Sequence, residues 1–319
     1  MNWNKTVTRS GTPIKILLGG SPCTKWSIAQ KNGREVLPEG IGWDLFENCR
    51  IAKDKFHPDF FLYENNKSIA QPIKDAIYSA LGGGIDSSVR LTHINSSLVS
   101  AQNRERFYVT NFGDIEQPKD RGIFLSDVLE SGIDLSCREK SYVLTSTYAG
   151  AVPQNTLERS QRTMIAEPVD SYSCCNSIYS VKNGFIIIKD NQYPVKLADG
   201  YYLIRKLTPT ECERLQTMPD GYTAAVSNSQ RYKALGNGWT AEVIIHILNH
   251  ALKDVPRDEE LVVLSMYDGI ATGRYCLDKM GFTNVKYYAY EIDPYAQKIA
   301  MSNYPDIIQC GDAFQIRNF

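Results

Sequence analysis

The sequence predicts an α/β protein whose main sheet is built from two separated stretches of chain, with a small lobe of different character between them. Three observations carry this. From residue 14 to about 110, short apolar runs alternate with runs whose apolar residues recur at helical spacing. Between 111 and 204 that alternation gives way to short pieces rich in Ser, Thr, Tyr and Asn. From 205 to 319 the strand and helix alternation resumes, so residues 1–110 and 205–319 are expected to share one sheet around a lobe at 111–204. A chain of 319 residues suffices for a catalytic domain and a lobe beside it.

Taken in order, Ile14-Lys15-Ile16-Leu17-Leu18, Phe60-Phe61-Leu62-Tyr63 and Arg106-Phe107-Tyr108-Val109 read as strands, with helices over about 43–55 and 72–81. In the lobe, Gly184 to Ile188 is expected to turn at Asp190-Asn191 into Tyr193-Pro194-Val195, forming a hairpin. Helices over about 208–217 and 240–253 follow. A strand at Leu261 to Ser265, a helix over 272–280 and a strand at Tyr287 to Tyr290 then complete the alternation. The chain shows no internal repeat.

Composition narrows the class. Eight cysteines occur without a C-x-x-C pair, and the adjacent Cys174-Cys175 is a spacing unsuited to an ordinary disulfide or zinc site, so reduced thiols and no metal are expected. A net charge of -1 argues against nonspecific coating of nucleic acid but leaves room for a local basic groove. No apolar run has the length to cross a bilayer, and Met1-Asn2-Trp3-Asn4-Lys5 lacks the apolar core of a signal peptide. The expectation is a cytoplasmic protein without membrane contact.

Two constellations carry chemistry. Gly19-Gly20-Ser21-Pro22-Cys23 puts a proline-fixed thiol just past the first strand, and Glu64 directly follows the strand at 60–63, so thiol and carboxyl are expected at one sheet edge. Gln102-Asn103-Arg104-Glu105-Arg106 reads as the opening of another strand, whose alternation sends Gln102, Arg104 and Arg106 to one face, bringing a guanidinium to the same place. The second constellation begins where Leu261 to Leu264 runs into Tyr267-Asp268-Gly269-Ile270-Ala271-Thr272-Gly273. The next strand ends in Glu291-Ile292-Asp293, where an acidic side chain can bind ribose hydroxyls, and Asp312 can accept from an adenine amino group. The loop lacks G-x-G-x-x-G, which counts against a dinucleotide and leaves S-adenosylmethionine, with no phosphate to cradle, as the better ligand. Strand and helix capping is the plainer reading of these acids.

With these blocks in view, the sequence resembles the DNA cytosine-5 methyltransferases, of bacterial or phage type. Gly19 to Cys23 matches the family's nucleophile loop, Tyr63-Glu64-Asn65 its Glu-Asn motif, and Gln102 to Arg106 its Q-x-R-x-R. Arg205-Lys206-Leu207-Thr208-Pro209 through Glu213-Arg214-Leu215-Gln216-Thr217-Met218-Pro219 resembles the segment after the recognition lobe, and Ala234-Leu235-Gly236-Asn237-Gly238 the Gly-Asn turn. Tyr267 to Gly273 is closest to the cofactor loop of the animal de novo methyltransferases. There are departures: Tyr267 stands where phenylalanine is common, Asn66 where valine follows Glu-Asn, and Trp43-Asp44-Leu45-Phe46 matches a Leu-Phe-Phe cofactor contact only loosely. The order also departs, because the cofactor loop follows the Gly-Asn helix through Ala251 to Glu260 and no longer precedes the nucleophile. That order reads as a circular permutation, with new ends after Gly311-Asp312 and before Ile14.

The resemblance implies a Rossmann-like, S-adenosylmethionine-dependent methyltransferase sheet, circularly permuted, with a small target-recognition lobe. It implies transfer of a methyl group to C5 of a cytosine flipped out of duplex DNA, through a covalent bond from Cys23 to C6, with S-adenosylhomocysteine as product. Glu64 would hold N3 and the exocyclic amine. Arg106, and with less support Arg104, would bind O2 or a phosphate, against a salt bridge to Glu105 as the plainer role of Arg106. Ser21, Pro22 and Gln102 would line the base. The loop from Thr24-Lys25-Trp26-Ser27 through Gly33-Arg34 to Gly40 would close over it. Arg159 and Arg162, with Asn155, Ser160 and Gln161, are candidates for target contacts in the lobe. For the cofactor, Tyr267 would stack on adenine, Asp268, Gly269, Ile270, Thr272 and Gly273 would line the loop, and Ile292 would pack on adenine beside Glu291 and Asp312. Asn237 and Trp239 would complete that pocket. The implied partners are double-stranded DNA and, as a candidate, a cognate restriction nuclease, for a monomeric enzyme. RNA methylation and a noncatalytic DNA-binding role are the alternatives.

Overall fold

The computed structural model describes residues 12–27, 33–170 and 177–318. Met1 to Lys5, the Cys174-Cys175 pair and part of the loop between Cys23 and Gly40 lie outside them. The chain divides into two compact units, one of Met1–Asn95, Glu105–Pro118 and Ala241–Phe319, the other of Ser96–Arg104 and Lys119–Thr240.

The first unit opens with β1 (Ile14–Gly19), α1 (Gly40–Phe56), β2 (Phe60–Asn66), α2 (Gln71–Ala80), β3 (Arg90–Asn95) and β4 (Glu105–Thr110). The second holds β5 (Ile133–Asp134), α3 (Pro153–Leu157), β6 (Met164–Val169), β7 (Ile178–Lys182), β8 (Phe185–Ile188), β9 (Asn191–Pro194), β10 (Gly200–Lys206), α4 (Pro209–Leu215) and α5 (Asn228–Asn237). The chain then returns to the first with α6 (Ala241–Leu252), β11 (Leu261–Met266), α7 (Thr272–Lys279), β12 (Val285–Tyr290), α8 (Pro294–Asn303) and β13 (Ile308–Gly311).

Seven strands of the first unit form one sheet in the order β13-β12-β11-β1-β2-β4-β3. All run parallel except β4, which is antiparallel to both its neighbours. The two separated stretches therefore do share a sheet, and the fold is the α/β class expected. β1 explains why its sequence is apolar without alternation: Ile14, Ile16 and Leu18 and, on the other face, Leu17 are all buried, as in a strand covered on both sides. On the Leu17 side, Phe46, Cys49 and Ala52 of α1 and Ile73 and Ile77 of α2 supply stripes at helical spacing. α1 stops at His57, which adopts a left-handed conformation (φ 48) and returns its N–H to the Lys53 carbonyl just before Pro58. On the Leu18 side, a Cβ at Gly273 in α7 would lie 2.5 Å from Leu18 Cδ1 and 2.7 Å from Tyr287 Oη. Only glycine lets that helix sit on the sheet.

The register sets the site. Gly19 pairs with Met266 of β11 on one side and with Tyr63 of β2 on the other. Because the three strands are parallel, the loop after β1, the loop after β11 and the residue after Tyr63 all emerge at the carboxyl edge of one sheet.

The second unit carries a sheet ordered β5-β6-β10-β7-β8-β9. The expected hairpin is β8–β9, with Ile188 opposite Asn191. Its turn residues are Lys189 and Asp190, both at positive φ (48 and 63), one residue earlier than Asp190-Asn191. Residues 205–240 also pack in this unit, whereas the sequence assigns them to the stretch that resumes the main sheet. The reason is a buried polar network. Glu211, fully buried, takes two hydrogen bonds of 2.8 Å from Arg205 and one of 2.7 Å from Thr208 N, Thr208 Oγ1 caps α4 by accepting from Glu211 N, and Glu213, equally buried, accepts from Arg231 at 2.9 Å. Breaking one buried pair by removing a partner costs about 3–5 kcal/mol. Gly236 of α5 sits directly on the main chain of Thr145 and Ser146, 2.2 to 2.4 Å from where its Cβ would be.

Candidate active site

Cys23 is not disulfide-bonded, and its side chain is half-buried. Its loop is held from inside the sheet. Ser21 Oγ lies 2.7 Å from Tyr63 Oη, and Asn65 Nδ2 donates to the Ser21 carbonyl at 3.0 Å and to Tyr63 Oη at 2.9 Å. The Ser21 hydroxyl is thus turned inward and buried, while Pro22 is exposed. On the far side, the Cys23 carbonyl accepts from the N–H groups of Trp26 and Ser27 at 2.9 and 2.8 Å. Fully buried Trp26 donates its indole N–H to Glu35 Oε2 at 3.1 Å, and the same oxygen accepts from Gly42 N at 3.0 Å at the start of α1. Arg34 reaches the Trp26 and Ser68 carbonyls.

Glu64 lies inside β2 and does not follow it, because β4 pairs alongside through Asn66. Arg106 Nε sits 2.9 Å from Glu64 Oε1, with the two side chains 13% and 12% exposed. Glu105, the plainer partner for Arg106, instead pairs with Lys67. Tyr63 and Asn65, which alternate with Glu64 along the strand, are the residues that hold the Cys23 loop. One strand therefore presents the carboxylate and anchors the thiol's loop.

Gln102 and Arg104 do not extend this strand. β4 begins at Glu105, and both residues belong to the second unit. There Arg104, 3% exposed, donates to the carbonyls of Leu144, Gly236 and Gly238 at 3.0, 3.2 and 2.8 Å. Gln102, fully buried, accepts from Leu144 N and donates to the Leu215 carbonyl. Gln102 forms an isolated bridge with Ser141, and main-chain groups of the second unit take both side chains. Asn237, Trp239, Arg159 and Arg162 are also in the second unit. Arg162, at φ 54, donates to the Gly150 carbonyl and to Thr147 Oγ1, while Arg159 and Asn237 are exposed. Asn155, buried, caps α3 by accepting from Val152 N.

Beside the thiol loop, the segment after β11 is bent by three residues in left-handed conformations: Tyr267 (φ 60), Gly269 (φ 65) and Ala271 (φ 62). Such geometry at non-glycine residues costs about 1–2 kcal/mol each, and it concentrates at functional sites. The Tyr267 hydroxyl donates to the Leu45 carbonyl at 2.8 Å and accepts from Asn48 at 3.0 Å, fixing the ring against α1, and burial pushes its pKa above the ordinary value. Asn48 in turn accepts from Arg317. Neither Asn48 nor Trp26 and Glu35 was singled out as a position-holder in the sequence, since their roles rest on contacts across long separations.

Asp268 Oδ1 accepts from Tyr287 at 2.7 Å, Oδ2 is buried without a partner, and burial pushes the carboxyl up to about 6. Glu291 accepts from Gly269 N, Ile292 N and Asp293 N, each at 2.8 Å, which uses three of about four carboxylate acceptor positions. Ile292 is 69% exposed and nothing lies within 4 Å of a Cβ at Gly269. Asp312 is exposed and caps the final turn through Phe314 N at 2.9 Å. Ile270 and Thr272 are buried. A pinned aromatic ring, an uncovered aliphatic side chain and carboxylates within one cradle, one of them with an orphaned oxygen, fit an adenosine ligand bearing positive charge. Among the described residues no cluster of metal-ligating side chains occurs.

A sequence profile described as C-5 cytosine-specific DNA methylase matches residues 4–253. The chain is similar to the Type II methyltransferase M1.ScrFI of Lactococcus lactis subsp. cremoris, 26% identical over 262 residues covering 75% of this chain and 62% of that protein. It is also similar to the Type II methyltransferase M.HhaI of Haemophilus parahaemolyticus, 26% identical, covering 74% and 73% of the two chains. The chain thus spans about three fifths of the first relative's length. Among solved structures, the Entamoeba histolytica methyltransferase EhMeth aligns at a TM-score of 0.49 and 15% identity over 76% of this chain and 78% of that one.

Proposed function

The chain belongs to the C-5 cytosine-specific DNA methylase family, and from that premise we propose that it transfers a methyl group from S-adenosylmethionine to C5 of a cytosine in duplex DNA, with Cys23 as nucleophile. The observation that carries this reading is the joint one at the sheet edge: Glu64 paired at 2.9 Å with Arg106 of β4, on the strand whose neighbouring residues hold the Cys23 loop.

Cytosine C5 is a weak nucleophile. Addition of the Cys23 thiolate to C6 gives C5 enamine character, Glu64 holds N3 and the exocyclic amine, and Arg106 holds Glu64 while balancing charge at O2 or a neighbouring phosphate. When bound, S-adenosylmethionine supplies an electrophilic methyl group and leaves as S-adenosylhomocysteine. The base then loses its C5 proton and expels Cys23. Tyr267, Glu291, Ile292 and Asp312 would hold the adenosine, and ionised Asp268 favours a cationic ligand. A thiol cannot reach C6 inside a stacked duplex, so the cytosine is flipped out. Exposed polar side chains of the second unit, Arg159 among them, are the candidate target readers.

We also read the chain as circularly permuted. Two observations support this: the family match ends at residue 253, before the glycine loop at 267, and β11 pairs directly with β1. Membership in a restriction-modification system, with a cognate nuclease, is supported by the Type II relatives. Among the described residues no helix is long and apolar enough to cross a membrane, and we propose a cytoplasmic, monomeric enzyme. The test is labelled methyl transfer to duplex DNA and to RNA in parallel. Label in duplex DNA, sensitive to Cys23→Ala, is the expected result; equal or greater label in RNA would overturn the DNA assignment.

A further inference from the structure

We propose that Tyr63 is a positioning residue for the nucleophile, acting with Ser21 and Asn65 as a buried clasp that fixes the Cys23 loop at a set distance from Glu64. The inference rests on the methyltransferase reading of Cys23 and Glu64. Its geometric basis is independent of that reading.

Ser21, Tyr63 and Asn65 are 4%, 2% and 1% exposed, so water cannot substitute for their hydrogen bonds. The two hydrogens of Asn65 Nδ2 go to the Ser21 carbonyl and to Tyr63 Oη, at 3.0 and 2.9 Å, and Asn65 Oδ1 accepts from Asn66 N at 2.8 Å. Tyr63 Oη accepts from Asn65 and shares a second hydrogen bond with Ser21 Oγ, 2.7 Å away, in which either hydroxyl can donate. The phenol ring cannot swing, because Phe46 packs edge-on at 5.4 Å between centroids and Phe107 at 6.4 Å. A rigid ring in the middle of β2 thus reaches across to the residue two before Cys23, while the carboxylate between Tyr63 and Asn65 faces the opposite side of the strand. Any movement of the loop relative to Glu64 must break a buried hydrogen bond. Coupled buried bonds of this kind hold one arrangement more strongly than separate ones. A thiol misplaced by about 1 Å loses on the order of 100-fold in rate.

The test uses the full chain and the variants Tyr63→Phe, Ser21→Ala and Ser21→Thr, with two readouts. The first is release of tritium from C5 of cytosine in duplex DNA without cofactor, which reports addition of Cys23 to C6. The second is the rate at which iodoacetamide alkylates Cys23, resolved by mass spectrometry, which reports loop position whatever the enzyme's substrate. Tyr63→Phe and Ser21→Ala are expected to lower tritium release about tenfold while raising Cys23 alkylation at least threefold, with S-adenosylmethionine affinity within twofold of wild type and Ser21→Thr recovering most of the loss. The opposite signs separate positioning from general damage. Both rates within twofold of wild type in Tyr63→Phe, or parallel losses in both with weakened cofactor binding, would overturn the clasp. A wild-type protein that releases no tritium from any duplex would contradict the methyltransferase reading, and the alkylation rates would still decide the clasp.

Discussion

Two loops leave neighbouring parallel strands at the same sheet edge and differ in backbone strain. The loop after β1 has no residue at positive φ from Gly20 to Ser27, and it is held by a main-chain turn onto the Cys23 carbonyl and by buried side chains, Tyr63 and Asn65 on Ser21 and Glu35 on Trp26. The loop after β11 has three left-handed residues and a buried carboxyl with an orphaned oxygen. The first is organised for chemistry before any ligand arrives. The second stores strain and unmet polarity that a bound ligand can offset. Substitutions in the first should therefore damage the reaction, and substitutions in the second should damage cofactor affinity or apo stability.

The largest expected effect is at Cys23. Cys23→Ala should take methyl transfer below detection while calorimetric binding of S-adenosylmethionine stays within twofold; loss of cofactor binding as well would erase the division between the loops. Next comes Glu64→Gln, which keeps shape but removes the charge that Arg106 balances. Single-turnover rates should fall by about 10²–10³-fold, in the range of a positioned acid–base group, with KM for cofactor unchanged.

Gly269→Val probes the other loop. Open space surrounds its Cβ, so the cost is conformational, about 1–2 kcal/mol for a left-handed L-residue, or roughly a tenfold weaker cofactor affinity if the loop must keep this shape to bind. Tritium release without cofactor should not change. The last effect is in apo stability, not in turnover. Asp268 has a folded pKa of about 6 against an ordinary 3.8. A carboxyl raised on folding favours the folded state when protonated; its contribution is fully present below about pH 4 and disappears as pH rises through 6. Ionised Asp268 thus costs at most about 3 kcal/mol at neutral pH, from a shift of about two units. Thermal melts of Asp268→Asn and wild type should diverge in favour of the variant between pH 4 and 7.5, and a pH-independent difference would contradict the buried-carboxylate account.

Much of this was legible in the sequence for a physical reason. Doubly covered strands such as Ile14 to Leu18 are continuously apolar, and loops at strand ends carry glycine and acid residues in a short local pattern. The edge strand β3, with Arg90, Thr92, His93 and Asn95, carries no such signal because it is half-exposed and polar. Gln102 and Arg104 depart from that pattern because period-two spacing does not distinguish a strand face from a connecting segment whose side chains find main-chain partners elsewhere. The sequence ends a strand at Tyr63, and the role of its hydroxyl emerges only when the parallel register sets it opposite Gly19 and within reach of Ser21. Contacts between residues 42 positions apart are set by topology and not by pattern.

The most direct measurement of the central claim is a covalent trap: duplex DNA containing 5-fluorocytosine, incubated with the full chain and labelled S-adenosylmethionine, followed by mapping of the adducted peptide. The account predicts a stable adduct carrying both DNA and label on the peptide that contains Cys23, absent in Cys23→Ala and formed more slowly in Glu64→Gln. Methyl transfer to unmodified duplex by Cys23→Ala, or an adduct mapped to another cysteine, would contradict it.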